Sequence, residues 1–154
     1  MSRYAQDTGV PIDRSRSEIE KILMRYGAHA FMYATRAEKA MIAFEVHGRR
    51  IRMVLPMPTY KDDSLRLNRW GHEKAGAVVQ KAIEQEARRR WRALALVIKA
   101  KLEAVSSGIA VFDDEFLAYT VLPNDKTFGE WARPQLDSLS KGGKMPPLLP
   151  SGME

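Results

Sequence analysis

The sequence predicts an α+β fold: an α-β-β-β-α core with a three-stranded antiparallel sheet, one long helix and two further C-terminal helices. Three observations carry that prediction. Apolar residues first recur at helical spacing, then alternate through three short runs, then return to helical spacing over a long stretch. Glycines and prolines mark the places where the period changes. Paired as hairpins, the three alternating runs agree on one apolar face, which the helices must cover.

Residues 1–12 are expected to be mobile, 13–140 to form one domain, and 141–154, with GGKMPPLLPSGME, to be a proline-rich tail without regular structure. The motif Ser15-Arg16-Ser17-Glu18 reads as a capping box opening a helix over 16–26. Ile19, Ile22, Leu23 and Tyr26 follow at helical spacing, and Gly27 ends it. Phe31, Tyr33 and Thr35 then alternate with Met32 and Ala34. Ile42, Phe44 and Val46 alternate with Met41, Ala43 and Glu45, and Ile51, Met53 and Leu55 with Arg50, Arg52 and Val54. A two-residue turn at His47-Gly48 sets Val46 opposite Arg49 and Phe44 opposite Ile51. A four-residue loop from Arg36 to Lys39 sets Tyr33 opposite Ile42. Pro56 and Pro58 stop the third strand.

Residues 57–73, MPTYKDDSLRLNRWGHE, read as a long loop. A helix over 74–105 follows, ending at Ser107-Gly108, and a shorter one over 112–121 with Phe112, Phe116, Leu117 and Val121 inward. Pro123-Asn124-Asp125 makes a turn. Thr127-Phe128-Gly129-Glu130 is a second capping box, opening a helix to 140 with Trp131, Leu136 and Leu139, which Pro134 kinks or delays.

With 154 residues the chain is long enough for one hydrophobic core without staples. It has no cysteine, so disulfides and thiolate metal sites are excluded. The N-terminus has no apolar run resembling a signal peptide, and nothing approaches a membrane span. The net charge of +6 is unevenly placed: residues 49–101 carry 14 Lys/Arg against 5 Asp/Glu, and residues 102–154 carry 4 against 8. A basic middle of this size attracts polyanions, nucleic acid above all.

The charge concentrates in EQEARRRWRALALVIKAKLEAVSSG, residues 84–108. At 100° per residue, Lys81, Arg88, Arg92 and Lys99 fall on one narrow stripe about 27 Å long. Trp91, Leu94, Ile98 and Leu102 point the other way, into the core. Arg88 follows Glu84 and Arg90 follows Glu86 by four residues, a spacing that suits helix ion pairs. The stripe is the candidate phosphate track; the competing reading is a solvated, partly salt-bridged helix face. In the 57–73 loop, Tyr60, Arg66, Arg69 and Trp70 interleave rings with cations, the pattern that holds single strands by stacking and backbone charge. The competing role for Tyr60 and Trp70 is to pin the loop to the core. Arg50 and Arg52 on the hairpin are placed to extend the same surface, although Arg50 also faces Glu45.

Catalytic signatures are missing. His29, His47 and His72 have no ligand spacing, and no phosphate-binding glycine loop or nucleophile elbow occurs. Asp113-Asp114-Glu115 resembles a nuclease metal cluster in composition, but it sits where a helix begins, where acids answer the dipole. No cofactor is expected.

Three segments, VPIDRSRSEIEKILMRYGA, RRRWRALALVIKAKLEAVSSGIAVFDDEFLAYTVLPN and TFGEWARPQL, resemble a family of small uncharacterised proteins encoded by bacteriophages and prophages. The likeness covers roughly residues 10–150, with the 57–73 loop least alike. It implies a phage-derived protein in the cytoplasm of a bacterial host and assigns no activity. The element order is also similar to double-stranded-RNA-binding domains and to single-strand annealing recombinases, which are likenesses of fold alone. The expected function is non-enzymatic, sequence-independent binding of nucleic acid, DNA in first place. The alternative is an inhibitor or adaptor that binds a host protein, and the third reading is a small metal-dependent nuclease.

Overall fold

The computed structural model describes residues 8–144. The expectation of a mobile stretch over 1–7 and of an irregular tail over 145–154 lies outside the described residues. Helix α1 (Ile12–Arg25) comes first, then strands β1 (Ala30–Arg36), β2 (Lys39–Val46) and β3 (Arg49–Pro56). Short α2 (Asp63–Arg66), long α3 (Gly76–Ser106) and three short helices, α4 (Phe112–Phe116), α5 (Phe128–Ala132) and α6 (Leu136–Ser140), complete the α+β fold.

The sheet has the order β1-β2-β3, antiparallel throughout, in the register that the apolar alternation predicts. Phe44 faces Ile51, Tyr33 faces Ile42 and Val46 faces Arg49. His47 and Gly48 both take positive φ, 52° and 72°, the pair of left-handed residues that a two-residue hairpin turn of this twist requires. The first hairpin is tighter than expected. Arg36 pairs with Lys39, leaving only Ala37-Glu38 in the turn.

One sheet face is buried and the other is not. Ile42, Phe44, Ile51 and Met53 form a single core with Ile19 and Leu23 of α1 and with Trp91, Leu94, Ile98 and Leu102 of α3. Phe116 closes that core edge-to-face on Phe44. Burying large aromatic and aliphatic side chains at roughly 25 cal/mol per Å² is the main stabilising term here.

Helix α1 starts earlier than the serine motif predicts. Pro11 is the N-cap, a position where its missing N–H costs nothing, and Ser15 sits buried inside the first turns. Part of the stretch expected to be mobile is therefore helix, and Gln85 of α3 donates to the Thr8 carbonyl at 2.9 Å. The second capping box forms as read: Thr127 accepts from the Glu130 N–H, and Glu130 accepts from the Thr127 N–H. The helix expected over 112–121 is shorter. After Phe116 the chain passes through one tight turn, Leu117 is left 46% exposed, and Thr120 bridges to Ile51 at the edge of β3. Pro134 divides the last helix into α5, a 3-10 turn and α6, because its ring cannot continue an α-helical ladder. Gly129 is required at the start of α5, where a Cβ would lie 2.9 Å from the Ala118 carbonyl oxygen.

Candidate nucleic-acid interface

Helix α3 carries its basic residues on two flanks. One flank packs against α1. The start of α1 lies beside Ala87 and Arg88, Glu18 pairs with Arg92, and Tyr26 lies near enough to Glu103 for that carboxylate to raise its pKa, so the two helices run parallel. Arg14, Glu18 and Lys21 lie at i, i+4 and i+7 on α1 and share one face. That face meets the α3 stripe in a groove of about 410 Å³ lined by Arg14, Ser17, Glu18, Lys21 and Arg92. Among the described residues, Arg14 and Lys21 form no ion pair or hydrogen bond. Three cations and one carboxylate therefore converge on a hydroxyl-bearing seam, an arrangement that fits a row of phosphates.

The predicted stripe is real but unevenly available. Lys81 and Lys99 are exposed and unpaired among the described residues. Arg88 donates to the Gln85 amide oxygen at 2.9 Å rather than to Glu84, whose carboxylate accepts from Gln80 at 2.9 Å instead. Arg92 is held by Glu18. The neighbouring arginines belong to the other flank. Arg89 and Arg90 both bond Glu86, at 2.7 and 2.9 Å, and Arg90 also donates to the Pro56 carbonyl at 2.7 Å. The Arg89 guanidinium, joined by Arg90 and opposed by burial, holds the Glu86 carboxyl at about 2, well below the usual range.

The loop is more ordered than a structureless connection. It contains α2 and a bridge between Leu67 and Glu73. Arg66 is engaged by Asp63 at 2.6 Å and by Glu73. Arg69 stacks over Trp70, 4.1 Å from its ring centre, and Trp70 is 67% exposed, so it does not pin the loop to the core. Tyr60 is also exposed and donates to Gln80 near the start of α3, which sets its ring close to the Lys81 end of the stripe.

The hairpin arginines do not join this surface. Arg50 and Arg52 lie on the sheet face opposite the one that α1 and α3 cover, so the sheet stands between them and the stripe. Arg52 is only 19% exposed and bonds Asp125 and Glu130, while Arg50 lines a separate cleft with Glu45. Two of the acids of 113–115 are also engaged: Asp113 takes Arg49 in two bonds of 3.1 Å, and Glu115 takes Lys101 at 3.0 Å. Among the described residues no group of three or more potential ligands is placed to hold a metal ion. No helix among them is long and apolar enough to cross a membrane.

The chain matches no protein-family model, and neither curated protein sequences nor solved structures give a significant match. The site is therefore defined by geometry alone. Reading the α3 wheel by itself misses Arg14 and Lys21. Their seven-residue spacing is visible in the sequence, but which face of α1 meets which face of α3 is not.

Proposed function

We propose that this chain is a non-enzymatic nucleic-acid-binding protein that grips the phosphate backbone along the α1–α3 seam. The supporting observation is the convergence of unpaired Arg14 and Lys21 with Arg92 on one groove, in line with exposed Lys81 and Lys99 on the same stripe. Backbone contacts of this kind give affinity without sequence preference and release counterions. Arg69 and Trp70, stacked on one another and exposed, serve as an auxiliary platform for a base. The resemblance to phage-encoded proteins fits a role on DNA in a bacterial host.

The test is fluorescence anisotropy with labelled single- and double-stranded DNA and RNA at two salt concentrations. Three or four phosphate contacts predict a log–log salt slope of about −3. The Arg14→Glu/Lys21→Glu variant should weaken binding about a hundredfold at low salt while leaving the fold intact, since both side chains are exposed. Binding that ignores salt, or that this variant leaves within about threefold of the wild type, overturns the proposal. A folded wild type that binds none of the four polymers transfers the reading to a host-protein inhibitor or adaptor.

A further inference from the structure

The other flank of α3 carries a second, chemically different surface. Strand β3 pairs with β2 on one side only. The residues flanking the His47-Gly48 turn, Val46 and Arg49, form a hydrogen-bonded pair, and such pairs alternate along an antiparallel ladder. Arg49, Ile51, Met53 and Leu55 thus turn their N–H and C=O groups toward β2, and Arg50, Arg52, Val54 and Pro56 turn theirs outward. Two bonds agree with that parity. Val121 donates to the Arg50 carbonyl at 2.8 Å, and Arg90 to the Pro56 carbonyl at 2.7 Å. Between these two occupied points stands Val54, 49% exposed, and among the described residues nothing bonds its backbone groups.

Val54 opens onto a groove of about 550 Å³ between the β3 edge and α3. Its helix wall is apolar at Ala93, Leu94 and Val97, and its end beside Pro56 is cationic at Arg89 and Arg90. Those two guanidiniums share the single Glu86 carboxylate, so the end keeps one positive charge in excess. An unpaired strand edge beside an apolar helix face is the geometry that captures extended peptides by strand addition.

We infer that the β3–α3 groove binds an extended peptide segment of a partner protein, which adds as a strand along Val54 and seats a carboxylate against Arg89 and Arg90. The edge from Arg52 to Pro56 is about 13 Å long, and within it the Val54 N–H and carbonyl are the groups left for an added strand, because Arg90 holds the Pro56 carbonyl and Thr120–Val121 lies against the other end. A parallel strand places its C-terminal carboxylate at the Pro56 end, where the charge is complementary. The apolar groove walls take alternate side chains, and Thr120–Val121 closes the opposite end. The groove lies on the flank away from the α1–α3 seam, so its test is independent of nucleic-acid binding.

The probes are fluorescein-labelled hexapeptides of alternating valine and threonine, ending in a free carboxylate or in a carboxamide. Fluorescence polarisation with the full chain should show micromolar binding of the acid and about tenfold weaker binding of the amide. Val54→Pro removes only an outward N–H, so the β2 ladder survives, and it should lose at least tenfold. Val97→Glu, at an exposed helix position, should lose the same and guards against a folding defect in the proline variant. Arg14→Glu/Lys21→Glu should bind the peptide like the wild type. The inference is overturned if neither peptide binds, if Val54→Pro and Val97→Glu both bind unchanged, or if acid and amide bind alike. A concentration-dependent dimer that Val54→Pro dissolves also overturns it, because the edge is then occupied by a second copy.

Discussion

The two flanks of α3 are built from the same residue types and differ in how far their cations are paired. On the α1 flank, Arg14, Lys21 and Lys99 stand without ion pairs among the described residues, and only Arg92 is neutralised, by Glu18. On the β3 flank, Arg89 and Arg90 close on one carboxylate that is 11% exposed, and Arg90 is tied further to Pro56. Consecutive arginines in the chain are thus divided by the 100° turn per residue into an available set and a committed set. A run of cations measures attraction for polyanions only after its internal acids have been placed.

The most decisive way to break the comparison is charge reversal. Arg14→Glu/Lys21→Glu should weaken nucleic-acid binding about a hundredfold at ~50 mM salt, because it removes two phosphate contacts and adds repulsion. Lys39→Glu/Arg50→Glu changes the net charge equally on other surfaces and should cost less than about threefold. Equal losses in the two variants, measured by anisotropy, would show that net charge acts and the seam does not.

The committed flank should fail in stability rather than in nucleic-acid binding. Glu86→Gln leaves two half-buried guanidiniums facing a neutral amide and should cost about 2 kcal/mol in urea denaturation. The Glu86 carboxyl is depressed to about 2 from 4.5, so its contribution is complete above pH 4.5 and is lost as the pH falls toward 2. The wild type should lose stability across that window, and the Gln variant should lack this part of the acid limb.

Smaller effects sharpen the contrast. Glu18→Gln frees Arg92 and removes the seam's carboxylate, and should tighten nucleic-acid binding about threefold at low salt. Arg66→Ala should change affinity less than about twofold, because Asp63 and Glu73 already hold that guanidinium. Trp70→Ala should leave stability within about 0.5 kcal/mol, as expected of an exposed ring, and any loss of affinity it causes should appear with single strands only.

Much of the fold was legible because a two-residue period tolerates no slip. The Val46–Arg49 and Phe44–Ile51 pairs follow from alternation and the His47-Gly48 turn together. The wheel that separated Trp91 and Leu94 from Arg88 and Arg92 was equally local. What escaped were competitions between nearby alternatives. Ser15 and Glu18 fit a capping box, yet Pro11 caps the helix and Ser15 is buried. Glu84 had the spacing for Arg88, yet the Gln80 and Gln85 amides took those partners. The acids that bind Arg52, at 125 and 130, lie more than 70 residues away and carry no local signal.

The three tryptophans sit in three different solvents. Trp91 is sealed in the core, Trp131 packs on Phe128 half-covered, and Trp70 stands 67% in water with a guanidinium on its face. Intrinsic emission is therefore a built-in position gauge. A base that stacks on the loop displaces Arg69 and quenches the red-edge, acrylamide-sensitive component of Trp70. A strand that occupies only the helix seam leaves that component untouched, and loss of the buried Trp91 component reports unfolding. One unlabelled titration then separates attachment at the loop, attachment at the seam and collapse of the fold.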